Sequence, residues 1–269
     1  MSLLDRTPRP NGPRTPPGLG ITLAYGRDAF ATLERMVLEY GPVSYGRLTG
    51  FPMLFLAEPE DMEHVLVRNH ANYIKDKYLQ VSKRFLGEGL LTSEGDLWKR
   101  QRRLIQPAFH PQRVAEYGPA MVKATERRVR DWRPGEVRAI DEEMRLLTLD
   151  IAVRTLFGSG LDAERSAAAG RAVADLSEFA EWTSSSLWGV ANFLLPWVPS
   201  GANRRSKRAL ADLDRIVYGL IEEHRRAGTE GDDVLSRLLK AQDEGGGMSD
   251  AQLRDEVLTL FLAGHETTA

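Results

Sequence analysis

Two short stretches hold residue types whose spacing could support chemistry: SEGDLWKRQRRLIQPAFH, residues 93–110, and LTLFLAGHETTA, residues 258–269. In the first, Trp98 and Arg102 stand four apart and share one helix face, with Ile105 below them. That face offers an indole N–H and a guanidinium beside apolar surface. It suits an acidic group carried by an otherwise apolar ligand, because a guanidinium grips a carboxylate through two parallel hydrogen bonds. The plainer reading is a solvated basic helix that Trp98 anchors to a core. Lys99, Arg100 and Arg103 point elsewhere and make a basic patch.

In the second stretch, Ser249 followed by Gln252 is a capping-box pattern that starts a helix. Advancing about 100° per residue from Leu253, the positions Val257, Leu260, Gly264 and Thr267 all return to within roughly 40° of it. The spacing therefore predicts a Gly and a hydroxyl in the middle of a buried stripe. Gly costs about 1 kcal/mol against Ala in a helix, and a buried hydroxyl needs a partner. Close helix packing at Gly264, with Thr267 bonding back to a carbonyl one turn earlier, is the bland account. The functional account places something flat and large against Gly264, a polar small molecule beside Thr267, and Glu266 next in line for protons.

Other patterns carry less. The pair His265–Glu266 evokes a zinc protease, but the second ligand, four residues after the first, would be Ala269. LGEGLLT resembles a phosphate-binding glycine loop, yet Thr92 takes the third Gly position and no strand precedes it; it reads as loop. His64, His70, His110 and His224 have no metal-like spacing. The amphipathic run from Asn203 to Arg226 reads as a helix with a solvated charged face.

Helices must position these residues. The periodicity predicts them at about 94–106, 111–132, 141–157, 162–187, 203–227, 231–242 and from 250 to the end, with Gly and Pro clusters between. Upstream, Leu19 to Tyr40 reads as one helix, VSYGRL and MLFLA as a hairpin around TGFP, and Glu60 to Asn69 as a helix opened by Pro59. Ala71 to Thr92 has no clean period and reads as a long loop with one helical turn. The fold class is mainly α with a small antiparallel β-sheet near the N-terminus.

The 269 residues could form one large domain or two ordinary ones. Thirty-six basic and 38 acidic residues nearly balance, which gives no support for nucleic-acid binding across the surface. With no cysteine the chain can build no disulfide, thiolate metal site or cysteine nucleophile. No apolar run reaches the roughly 18 residues that span a bilayer, and the Pro-rich residues 1–20 lack the apolar core of a signal peptide. A cytoplasmic protein without a membrane span is the expectation.

The WxxxR helix and the later AGHETT, in this order and at this separation, resemble the cytochrome P-450 family of haem-thiolate monooxygenases. The Pro-rich leader, hairpin and long irregular segment follow the same order. The resemblance covers the whole chain but only the first part of such an enzyme, so it implies that fold, incomplete. Residues 1–20 would be a leader and 21–269 the N-terminal part of a single domain whose C-terminal haem-ligand part is absent. It implies haem b (iron protoporphyrin IX) as cofactor, with Trp98 and Arg102 holding a propionate. Ala263 and Gly264 would line the distal face, and Thr268 would pack near the haem. Thr267 would bond the iron-bound oxygen species and Glu266 would relay protons.

The resemblance further implies that Ala71 to Thr92 and the aromatic segment Trp182 to Trp197 cover the substrate pocket. It implies O2 and a small, apolar organic substrate, and a ferredoxin or flavoprotein electron donor docking near Lys99, Arg100 and Arg103. A monomer is expected. The family's Cys loop and the ExxR pair that follows AGHETT have no counterpart here; Glu142 with Arg145 and Glu222 with Arg225 precede it and are chance matches. The chain by itself is therefore expected to be inactive. A truncated helical protein with only a binding role is the alternative.

Overall fold

The computed structural model describes residues 10–14, 20–48, 50–158, 162–185, 200–228, 231–243 and 246–268, with the backbone alone at 77, 78, 81, 163, 181, 184, 185, 242, 243, 265 and 266. The chain divides into two compact units, Met1–Ile74 with Glu181–Leu195 and Lys75–Ala180 with Pro196–Ala269.

In the first unit the segment expected as one helix is two, α1 (Thr22–Arg27) and α2 (Ala29–Tyr40). Asp28 separates them: its backbone is extended, at φ −155 and ψ 100, and its carboxylate caps α2 by accepting from Ala31 N at 2.9 Å. Strands β1 (Val43–Leu48) and β2 (Phe51–Leu56) pair antiparallel from Val43↔Leu56 to Leu48↔Phe51. The turn is thus tighter than TGFP, since Phe51 and Pro52 belong to β2. Pro52 is tolerated because a two-stranded sheet consists only of edges. Ile21 and Met36 are the buried apolar centre of this unit. Pro59 opens α3 (Pro59–Glu63), which continues as a π-helical turn over His64–Arg68.

The second unit is helical. Its elements are α4 (Lys77–Leu86), α5 (Gly95–Ile105), α6 (Pro111–Arg130), α7 (Ile140–Phe157), α8 (Ala163–Ser185, of which the part up to Ala180 belongs to this unit), α9 (Gly201–Ala227), α10 (Val234–Lys240) and α11 (Asp250–Glu266). The short ladder β3 (Gln242–Asp243) with β4 (Gly246–Gly247) was not legible in the sequence. Helix α4 corrects the reading of 71–92 as a loop. Asp76 caps it by accepting from Leu79 N at 2.8 Å, and Gly87, at φ +71, ends it.

Helices α7, α9, α10 and α11 share one core. Leu149, Val153 and Leu156 meet Leu213, Val217 and Leu220, Leu235 and Leu238, and Leu253, Val257, Leu258 and Phe261. Full burial of each such side chain stabilises by about 1.5–3 kcal/mol. The expected capping box of α11 forms: Ser249 Oγ accepts from Gln252 N at 3.2 Å, and Gln252 Oε1 accepts from Ser249 N at 3.0 Å. The buried stripe does not run the length of α11, however. Leu253 and Val257 are buried, Leu260 is half-buried, and Gly264 and Thr267 are exposed. The first three turns are covered by neighbouring helices and the last is not.

Candidate functional site

Helix α5 carries the indole–guanidinium pair as the four-residue spacing predicts. The Arg102 guanidinium carbon lies 5.2 Å from the centre of the Trp98 ring, close enough for a cation–π attraction. Arg102 is exposed and forms no ion pair among the described residues, and the indole N–H of the half-buried Trp98 makes no hydrogen bond among them. One face therefore presents an unengaged guanidinium and an unengaged N–H donor.

Lys75 lies near the same indole. Its ammonium lies 6.0 Å from the Trp98 ring centre and donates to Leu90 O at 3.0 Å and Ser93 O at 2.7 Å. Burial pulls its pKa below the usual lysine value, and Glu94 opposes that shift. The Glu94 carboxylate also accepts from Lys75 N at 2.6 Å.

The turn that follows α4 is held by both α5 and α11. Gln101 Nε2 donates to Glu88 O at 2.7 Å. From the α11 side, Asp255 Oδ2 accepts from Glu88 N at 2.7 Å and Glu256 Oε2 accepts from Leu90 N at 2.9 Å. Two glycines make this fit: a Cβ on Gly87 would lie 2.0 Å from Asp255 Oδ1, and one on Gly89 would lie 2.3 Å from Thr259 Oγ1. The phosphate-like reading of LGEGLLT thus has a physical replacement. Amides that could cradle a phosphate are taken by the chain's own carboxylates. Burial pushes the Glu256 carboxyl up to about 7, with Asp255 adding to the rise and the Leu90 amide and Lys75 opposing it.

At the end of α11, Ala263, Gly264 and Thr268 are exposed. A Cβ on Gly264 would meet its nearest neighbour, Ala152 Cβ, at 3.9 Å, an ordinary contact. The glycine is therefore not required by packing against α7, and its open side faces outward. The Thr267 hydroxyl donates to Ala263 O at 2.5 Å, the bond to the previous turn that the bland account predicts. Glu266 ends α11, and its side chain lies outside the described residues. So do residues 186–199 of the aromatic segment. The structure thus pairs Trp98 with Arg102 directly; on α11 it is Asp255, Glu256 and Thr259, not the residues from Ala263 onward, that approach the 87–93 turn which Gln101 of α5 also holds.

Within the basic patch, Arg100 donates to Gly246 O at 2.9 Å and the exposed Lys99 pairs with Asp96 at 3.3 Å. Arg103 lines a surface cleft of about 450 Å³ together with Arg113, Arg237 and Lys240. Sequence reasoning missed Lys75, Gln101 and Glu256. The first two carry no local signal; Glu256 does, as a charge about 60° from Leu253 on an apolar stripe.

The comparisons with known proteins identify the family. The cytochrome P-450 family model matches residues 10–269. A cyclooctat-9-en-7-ol 5-monooxygenase of Streptomyces melanosporofaciens is 33% identical over 96% of this chain and 55% of its own length. Cyclooctatin synthase of the same organism is 36% identical over 83% of this chain and 48% of its own. The chain spans about half the length of these curated relatives. Among solved structures, a retinoic acid-bound cyanobacterial CYP120A1 superposes with a TM-score of 0.77 at 23% identity, over 97% of this chain and 57% of that one, which shows a shared fold. The chain belongs to the cytochrome P-450 family.

Proposed function

We propose that residues 21–269 are the N-terminal part of a haem-dependent monooxygenase domain that inserts one oxygen atom from O2 into an organic substrate and reduces the other to water. The observation that carries this reading is the Arg102–Trp98 pair, an exposed cation without an ion-pair partner beside an indole N–H without a hydrogen-bond partner among the described residues. Arg102 and Trp98 would hold a propionate of haem b, and Ala263, Gly264 and Thr268 would border its face. Haem, bound through a thiolate, supplies the redox chemistry that splits O2.

The chain's own residues then have separable tasks. Arg102 neutralises an acid at the site's edge, where a charge-assisted bond is stronger than a neutral one. Gly264 leaves room that a methyl would fill. Thr267, its proton directed at Ala263 O, keeps its oxygen lone pairs as acceptors. Glu266, one residue before it, holds and passes protons at its carboxylate. An apolar substrate accords with the relative named for cyclooctat-9-en-7-ol. Ala71 to Thr92 and Trp182 to Trp197 are proposed to border the substrate. A ferredoxin or flavoprotein would supply electrons at the basic surface around Lys99, Arg100 and Arg103.

No cysteine occurs in residues 1–269, so this chain alone supplies no thiolate and is proposed not to turn over. The test is the absorbance spectrum of the whole gene product after reduction under carbon monoxide. The thiolate-type band is expected; a spectrum of histidine-ligated haem, or none, would contradict the proposal.

A further inference from the structure

Three side-chain oxygens around the 87–93 turn have no hydrogen-bond partner among the described residues: Ser93 Oγ, Gln101 Oε1 and Glu256 Oε1. Each belongs to a residue that is 0% exposed. All three residues grip the same few peptides. Ser93 N donates to Gly89 O at 2.9 Å, Gln101 Nε2 to Glu88 O at 2.7 Å, and Leu90 N to Glu256 Oε2 at 2.9 Å. The three unpaired oxygens thus belong to residues that hold three consecutive peptides, Glu88 to Leu90, and all are sealed from solvent.

A buried unpaired oxygen is costly, and three on residues that hold one turn are costlier. A serine hydroxyl can donate to any acceptor in reach, yet Ser93 Oγ finds none among the described side chains. A group that bridges the three must be small and must both donate and accept, as a buried water does with about three bonds.

We propose that Ser93, Gln101 and Glu256 form an internal site for one water molecule, and that Glu256 is held there as the neutral acid. The acid proton donates within the cluster, either to the water or to Gln101 Oε1, while Oε2 keeps the Leu90 amide. Raising the pH transfers that proton to solvent and leaves a buried carboxylate. The charged neighbours are few. On α11 itself Asp255 raises the proton affinity, and Lys75 lowers it. From α9, Asp214 is engaged by Arg254 Nε at 2.6 Å. From α4, Lys83 pairs with Glu88 at 3.1 Å. Helices α7 and α10 bring apolar side chains to this core, among them Leu149, Ala152, Leu235 and Leu238. The site stands apart from the haem reading, since none of its atoms belongs to the Arg102–Trp98 face. It makes the hold of the turn on α11 depend on pH.

Infrared difference spectra of the 269-residue chain across a pH series test this directly. A protonated-carboxyl stretch is expected at low pH, lost with a midpoint of about 7, and absent from Glu256→Gln. Ser93→Ala, which removes one holder of the water, should strengthen proton binding on the order of tenfold and move the midpoint up. A parent spectrum in which every carboxyl band titrates well below that midpoint would overturn the neutral acid. A Ser93→Ala midpoint equal to the parent's would overturn the shared water. Should Glu256→Gln fail to fold, the parent and Ser93→Ala spectra decide by themselves.

Discussion

Arg102 stacks on Trp98 one helical turn away, with 5.2 Å between the guanidinium carbon and the ring centre, and Lys75 sits 6.0 Å from the same ring. Two cations thus lie near one indole, but only Lys75 is engaged by carbonyl oxygens. Lys75 is the internal brace and Arg102 the outward-facing group. That division of labour is what a site for an external acid requires.

Gly264→Ala separates packing from ligand binding. A Cβ would meet only Ala152, at 3.9 Å, and Ala is the better helix former by up to about 1 kcal/mol. The 269-residue chain should be unchanged or slightly stabilised in urea unfolding. The whole protein should bind haem more weakly. A large loss of stability in the chain would return Gly264 to a packing role.

Gly89→Ala should do the opposite. Its new methyl would lie 2.3 Å from Thr259 Oγ1 and 2.5 Å from the Asp255 carbonyl oxygen. The turn or α11 must shift, which costs typically about 1–3 kcal/mol. Gly26→Ala, with nothing within 4 Å, is the control and should not destabilise. Equal urea midpoints for the two variants would contradict the close approach of turn and helix.

Two groups, the half-buried His224 and the buried Glu256, make stability fall with rising pH, in different windows. His224 donates from Nδ1 to Leu220 O at 2.8 Å, and its Nε2 lies 3.3 Å from Asp233 Oδ1. The bond to Asp233 is the main cause of its raised pKa. Its contribution is complete below the unfolded histidine value of about 6.5 and is lost as pH rises through the folded one. His224→Ala should cost about 1.5–3 kcal/mol at about pH 6, as a charged hydrogen bond does, and less at about pH 9. Glu256 is an acid whose folded value is raised to about 7 from 4.5. The folded state then binds the extra proton, so stability falls by up to about 3 kcal/mol across that interval. Glu256→Gln should flatten that part of the curve. Unfolding free energies measured at several pH values check both signs.

Much of the second unit was legible because its signals are local. The capping box at Ser249 and Gln252, the WxxxR spacing and the Gly and Pro breaks all act within one or two turns. The α4 helix was missed although its apolar residues keep a helical period, because its ten residues were read together with the irregular flanks on either side of Asp76 and Gly87. The exposure of Gly264 and Thr267 was missed because a helical wheel assigns faces but not where neighbouring helices stop. Lys75 and Gln101 gain their roles from bonds to the 88–93 backbone, which no spacing reveals. Glu256 was legible in principle, as a charge on the stripe that Leu253 and Val257 define, and its partner Leu90 lies 166 residues away.

The most direct test of the haem reading is retention of haem by the whole gene product through gel filtration, read by absorbance, for the parent, Arg102→Ala and Lys99→Ala. Lys99 is exposed and paired only with Asp96. Loss of a charge-assisted bond to a carboxylate is worth about 1.5–3 kcal/mol, roughly tenfold or more in affinity. Arg102→Ala should lose haem while Lys99→Ala keeps it. Equal haem content in all three proteins would contradict the role given to Arg102.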